Sequence, residues 1–133
     1  MKHVKQIDLQ DNFWKDARGW GVKPFGAINL PHGFAGNPHI VSLKPGVVRG
    51  NHYHTNSTEW IFVFGGKARI VWKTRMERSA QQVVVTDSEP ALFEIPPDVA
   101  HAVVNDSEND IYLVVFYDSR EADTVHEKLI VDS

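Results

Sequence analysis

Apolar residues in this chain fall in short runs of strand length, with almost no helical period between them. Residues 41–43, 58–64, 67–72, 82–86, 91–95, 102–104 and 111–117 are rich in Val, Ile, Phe, Trp and Tyr. Turn chemistry bounds them: Lys44-Pro45-Gly46, Gly65-Gly66, Ser88-Glu89-Pro90, Pro96-Pro97-Asp98 and Asn105-Asp106-Ser107. Strands at this spacing predict an antiparallel sandwich or barrel. Between Lys15 and Pro38 the glycines 19, 21, 26, 33 and 36 and the prolines 24, 31 and 38 predict loops and short extended pieces wrapped on the sheet, not a helix. The charged stretch 73–81 predicts a solvated hairpin loop. After Asp118 the chain is expected to form a helical turn or an edge strand.

Composition narrows the class. The chain has 133 residues, 42% hydrophobic and 23% charged, which fits one domain with a single apolar core and excludes a disordered chain. With no cysteine, disulfide scaffolds, thiolate metal sites and cysteine nucleophiles are excluded, and any metal must be held by nitrogen and oxygen. The formal charge of −3 gives no reason to expect nucleic acid as a partner. The N-terminal stretch lacks the apolar run of a secretion signal, and no apolar run approaches the roughly 20 residues of a membrane-spanning helix. A cytoplasmic protein with no membrane partner is therefore expected.

Candidate chemistry concentrates between Lys44 and Gly66. His52 and His54 are two residues apart, so in a strand both imidazoles leave the same face. The polar turn Thr55-Asn56-Ser57 follows, and Glu59 opens the next run, where a fold-back brings its carboxylate near the two rings. His101, after the rigid Pro96-Pro97 turn, is a fourth candidate. Three imidazoles and a carboxylate suit one divalent ion and leave coordination positions open for a ligand.

These residues resemble the cupins. Gly46, His52, His54, Glu59 and Gly66 fill every specified position of that family's first motif, and Pro96, His101 and Asn105 match the second, with Pro90 and Asp98 standing where it has glycine. Asp tolerates the left-handed turn a glycine would make there better than most residues. The resemblance implies an all-β, double-stranded β-helix (jelly-roll) barrel. It implies a single cupin domain over 1–133: a loop-rich N-terminal wrap (1–40), a barrel core (41–118) and a C-terminal tail (119–133). It also implies metal ligation by His52, His54, Glu59 and His101, with zinc, iron, nickel or manganese as the ion, and a structural role for Asn105. A narrower likeness, carried by Asp16-Ala17-Arg18-Gly19 and by Pro45 through His54, is to cupins that epimerise or isomerise 4-keto sugar nucleotides and to the cupin domain fused to a reductase in capsular-sugar synthesis. In the metal-free members of that group the histidine of the RG-x-H segment is the base, a role that conflicts with His52 as a ligand.

The expected function is accordingly a metal-dependent epimerase or isomerase of carbohydrate or sugar-nucleotide metabolism, with a small-molecule substrate and Arg49 as its anion contact. The sequence does not identify the base, and the pattern goes no further than an inward Tyr or Asp on another strand. Two other functions fit the same residues: a metal-dependent dioxygenase or lyase, and a non-enzymatic binding or sensing module. A homodimer is expected to cover an exposed strand edge. The ordinary reading of Asp16 and Arg18 is a local turn salt bridge, and that of Trp14, Trp20, Trp60 and Trp72 is core, pocket wall or dimer contact. His3, His32, His39 and His126 have no partner at ligand spacing and are expected to be ordinary.

Overall fold

The computed structural model describes residues 3–28, 35–119 and 122–127; His32 and the last part of the tail lie outside them. Among the described residues there is no α-helix. The strands are β1 (Lys5–Ile7), β2 (Phe13–Asp16), β3 (Gly19–Val22), β4 (Ala35–Leu43), β5 (Val48–Tyr53), β6 (Glu59–Phe64), β7 (Ala68–Lys73), β8 (Gln81–Val85), β9 (Ala91–Ile95), β10 (Ala100–Asn105), β11 (Ile111–Tyr117) and β12 (Val125–His126). Two antiparallel five-stranded sheets, ordered β1-β9-β6-β11-β4 and β12-β5-β10-β7-β8, face each other, and β2 and β3 form a separate hairpin. This is the expected all-β jelly-roll barrel.

The run in β6 shows how sequence pattern becomes layers. Ile61 and Val63 enter the core between the sheets, where Phe93, Ile95 and Leu113 meet Ile70, Trp72 and Val103. Trp60 and Phe62, of opposite parity, join Leu92 and Phe116 in a second apolar layer outside the first sheet, covered by Ile7, Leu9, Trp20, Val22 and Ile28. A strand buried on both faces is apolar throughout, so β6 shows no alternation.

The N-terminal segment wraps on the sheet, but it is more ordered than loops. Its β1 pairs with β9, and β2 and β3 make a hairpin whose Asp16–Arg18 ion pair, 2.7 Å, spans the exposed turn. The first long strand begins at Ala35 and not near residue 41, and Val48–Tyr53, which carries His52, is itself a strand. Residues between β7 and β8 form the expected hairpin loop. In the tail, β12 pairs with β5 at the edge of the second sheet.

Two of the turns that the sequence singled out are fixed by local chemistry. Asp98 adopts φ 69°, the left-handed conformation in place of a glycine. Asn105 is buried with its amide fully used: Nδ2 donates to the Leu43 and Asn109 carbonyls at 2.9 and 2.7 Å, and Oδ1 accepts from Ser107 N–H and hydroxyl at 2.8 and 2.7 Å.

Candidate metal centre and substrate cavity

Both sheets contribute to one cluster. Glu59 opens β6 on the parity of Ile61 and Val63, which points it inward from the first sheet. His101 of β10 lies directly across from His52 of β5 in the second sheet. His54 stands one residue beyond the end of β5, so the i, i+2 spacing acts here across a strand end. Its carbonyl accepts the Asp98 N–H at 2.7 Å, tying the ligand loop to the turn that precedes His101.

A β-bulge sets the direction of β5. The register passes from His101↔His52 to Ala102↔Gly50, leaving Asn51 extra, with Gly50 at φ 110° and Asn51 at φ 55°. In a regular strand Arg49 and His52 would leave opposite faces; the inserted residue puts both on the inner one. Arg49 pairs with the inward Val103, and its Nε donates to the Ser42 carbonyl at 3.0 Å, which seats the guanidinium on the cavity wall.

The four predicted ligands converge. Their donor atoms all lie within 4.8 Å of one another. The Nε2 atoms of His52, His54 and His101 stand 4.0, 3.0 and 2.6 Å from Oε1 of Glu59. Nδ1 of His101 is 3.0 Å from the Val99 carbonyl and Nδ1 of His54 is bonded to the Asp123 carbonyl. A carbonyl only accepts, so both Nδ1 atoms carry a proton. His54 Nε2 is hydrogen-bonded to Glu59 Oε1, donating to it when the ring is protonated and offering its lone pair to an ion there when the ring is neutral. His101 Nε2 is out of line for a hydrogen bond to Oε1 and, among the described residues, has no hydrogen-bond partner although fully buried. Nitrogens crowded on one carboxylate oxygen are held together by a positive charge shared between them, a proton or a metal ion, and this donor set fits a divalent ion.

The electrostatics agree. Burial pushes the Glu59 carboxyl up, but the His101 and His54 rings together outweigh it and hold the group well below the usual carboxylate range. Burial lowers His54 also, yet its bonds to Glu59 and the Asp123 carbonyl leave it raised. His52 is pushed down to about 4, by burial first and then by the neighbouring His101. Ionised Glu59 and neutral His52 are the forms a metal needs.

The cluster opens into a cavity of about 250 Å³ between the sheets. Val41, Ile61, Val103, Leu113 and Val115 line its apolar part, and His39, Arg49 and Tyr117 join the ligands at its polar part. The Tyr117 hydroxyl donates to Glu59 Oε2 at 3.4 Å, and burial followed by the Glu59 charge raises its pKa, so it stays protonated. His39, expected to be ordinary, pairs with Val115 on the inner face of β4 and stacks on Tyr117 with centroids 6.0 Å apart. A larger surface depression of about 540 Å³ beside β1 contains no histidine.

Fold and site together define a jelly-roll barrel with a carboxylate–imidazole cluster on the wall of an internal cavity. The chain belongs to the family of polysaccharide biosynthesis C-terminal domains, whose sequence model matches residues 25–125. It is 26% identical, over 94 residues covering 68% of its length, to the UDP-2-acetamido-2,6-beta-L-arabino-hexul-4-ose reductase of Pseudomonas aeruginosa, and it spans about a quarter (25%) of that protein. The barrel is shared with a mutant of the 3,4-ketoisomerase QdtA from Thermoanaerobacterium thermosaccharolyticum, solved with TDP-4-keto-6-deoxyglucose: TM-score 0.72, 18% identity, 93% of this chain and 87% of that one. It is shared too with the dTDP-6-deoxy-D-glucose-3,5-epimerase RmlC from Legionella pneumophila, solved with dTDP-4-keto-L-rhamnose: TM-score 0.65, 17% identity, 88% and 72% of the two chains.

Proposed function

We propose that this chain is a metal-dependent epimerase or isomerase acting on a 4-keto sugar nucleotide. The observation that carries the reading is the convergence of three imidazole nitrogens on one buried, ionised carboxylate at the wall of a cavity. Family membership and the keto-sugar nucleotides in the two structural neighbours support the substrate class.

His52, His54, Glu59 and His101 would hold zinc, iron, nickel or manganese, and such an ion supplies a Lewis acid that polarises a keto oxygen and acidifies the adjacent C–H. The chain's own groups do the rest. Val41, Ile61 and Leu113 give the sugar an apolar wall and exclude water from the reacting carbons. Arg49 binds the substrate's phosphate at the cavity wall. His39, the cavity imidazole outside the ligand cluster, takes the proton from the carbon beside the ketone and returns it. Tyr117, held protonated, donates a hydrogen bond to a substrate oxygen.

Incubating the protein with 4-keto sugar nucleotides in deuterium oxide tests this. Deuterium is expected at a carbon flanking the ketone, with one metal ion per chain by mass spectrometry. His101→Ala should lose both, and His39→Gln should slow exchange about 10²-fold or more while keeping the metal. Absence of wash-in from every 4-keto substrate offered to the metal-loaded wild type would sink the proposal.

A second reading is favoured by one distance. His52 Nε2, 4.0 Å from Glu59 and on a side chain 22% exposed, is placed to act as the base of a metal-free site. Wash-in by protein containing no metal, abolished by His52→Asn, would select it.

A further inference from the structure

We propose that Asp123, from the C-terminal tail, is a positioning residue for the metal site: it clamps the ligand loop and sets the ring of His54. The inference rests on reading His52, His54, Glu59 and His101 as metal ligands.

The two inner histidines are oriented differently. His101 takes its Nδ1 partner from Val99, two residues away on its own segment, so folding of β10 alone orients the ring. His54 takes its partner from Asp123, 69 residues further along the chain. The Asp123 side chain then grips the loop that carries His54. Its Oδ1 accepts the Thr55 and Asn56 N–H groups at 2.7 and 3.4 Å, and its Oδ2 accepts the Thr55 hydroxyl. The Asp123 N–H in turn donates to Oδ1 of Asn56 at 3.1 Å. Backbone pairing continues the clasp, with Val125 opposite Tyr53, His126 opposite His52, and the Glu127 N–H donating to the Asn51 carbonyl at 2.7 Å.

This arrangement has a chemical consequence. The Asp123 carbonyl forces the Nδ1–H tautomer on neutral His54 and leaves Nε2, the atom 3.0 Å from Glu59, as the donor to a metal. Without the clasp the ring keeps its Glu59 contact and its packing against Tyr117, neither of which holds Nδ1, and either tautomer becomes available. Groups that orient a ligating histidine through its second nitrogen are typically worth 10–100-fold in metal affinity.

The experiment uses the full chain as wild type, Asp123→Ala, Asp123→Asn and Thr55→Val. Zinc affinity is read by competition with a chromophoric chelator, the ligand set by the visible spectrum of the cobalt form, and the His54 tautomer by long-range proton–nitrogen NMR of the metal-free protein. Asp123→Ala is expected to weaken zinc about 10–100-fold, alter the cobalt spectrum and give a mixed His54 tautomer. Asp123→Asn, whose amide oxygen still accepts the Thr55 N–H, should recover part of the affinity. Thr55→Val removes one bond of the clasp without touching the tail, and should weaken zinc several-fold even if Asp123→Ala fails to fold. Wild-type affinity and cobalt spectrum in both Asp123→Ala and Thr55→Val would overturn the inference alone. A wild type that binds neither ion would overturn the metal reading and this inference with it, so the wild-type titration separates the two failures.

Discussion

At Gly50 the backbone takes φ 110°, and a Cβ there would lie 2.8 Å from the His101 carbonyl oxygen and 3.0 Å from Cα of Ala102. That close approach lets β5 bulge against β10 and face both Arg49 and His52 into the cavity. Gly50→Ala should therefore cost about 1–3 kcal/mol from the backbone conformation alone, before any clash is relieved. Equilibrium urea denaturation of the metal-free protein measures the cost, and a change under about 0.5 kcal/mol would show that the bulge is not held this way. The cluster of His52, His54, Glu59 and His101 was legible in the sequence because these residues sit at motif spacing. The bulge was not, because Gly50-Asn51 reads equally well as an ordinary turn. His39 was missed for a related reason: it is far from the ligands along the chain, and only the register β4↔β11 brings it to the cavity wall.

Strand β6 sorts its residues between two apolar layers, and the layer outside the barrel core is completed by the N-terminal segment. Trp20 of β3 meets the Phe64 ring edge-on at 6.0 Å and stacks on Phe13 at 6.2 Å, while Phe25 meets Phe116 edge-on at 5.0 Å. The Trp20–Phe64 contact couples the β2–β3 hairpin to the first sheet, and Phe25 couples the turn that follows it, without reaching the cavity. Trp20→Ala is expected to raise amide exchange across Phe13–Val22 at least tenfold by local opening, leaving β7 and β10 protected and zinc binding intact. Equal loss of protection in β10 would show that the hairpin and barrel open as one unit. The existence of β6, β7, β9 and β11 followed from their apolar runs. The hairpin did not, since Trp14, Lys15 and Asp16 are exposed and its glycines suit loops as well as strands. Nothing local signals β12 either, because a two-residue strand is defined by its partner and not by its own pattern.

Across the whole molecule the four candidate ligands join the two sheets: Glu59 from the first, His52 and His101 from the second, and His54 from the connection between them. An ion bound there favours the folded state alone, so zinc at about 100 times its Kd should add about 2.7 kcal/mol to stability. His101→Ala should show no such gain. The pH dependence follows from the protons the ligands must release. His52, pushed down to about 4, and ionised Glu59 release none near neutrality. His54 is the ligand whose pKa the fold raises above its ordinary 6.5. In the metal-free protein its protonated form contributes stability that is fully present below about 6.5 and is lost as pH rises through the raised value. Zinc displaces that proton, so its stabilising effect has the opposite dependence: full above the raised pKa of His54 and shrinking as pH falls through it. Thermal melts from pH 8 to pH 6, with and without zinc, read both trends, and a zinc-induced shift that stays constant over that range would show that His54 gives up no proton when the ion binds.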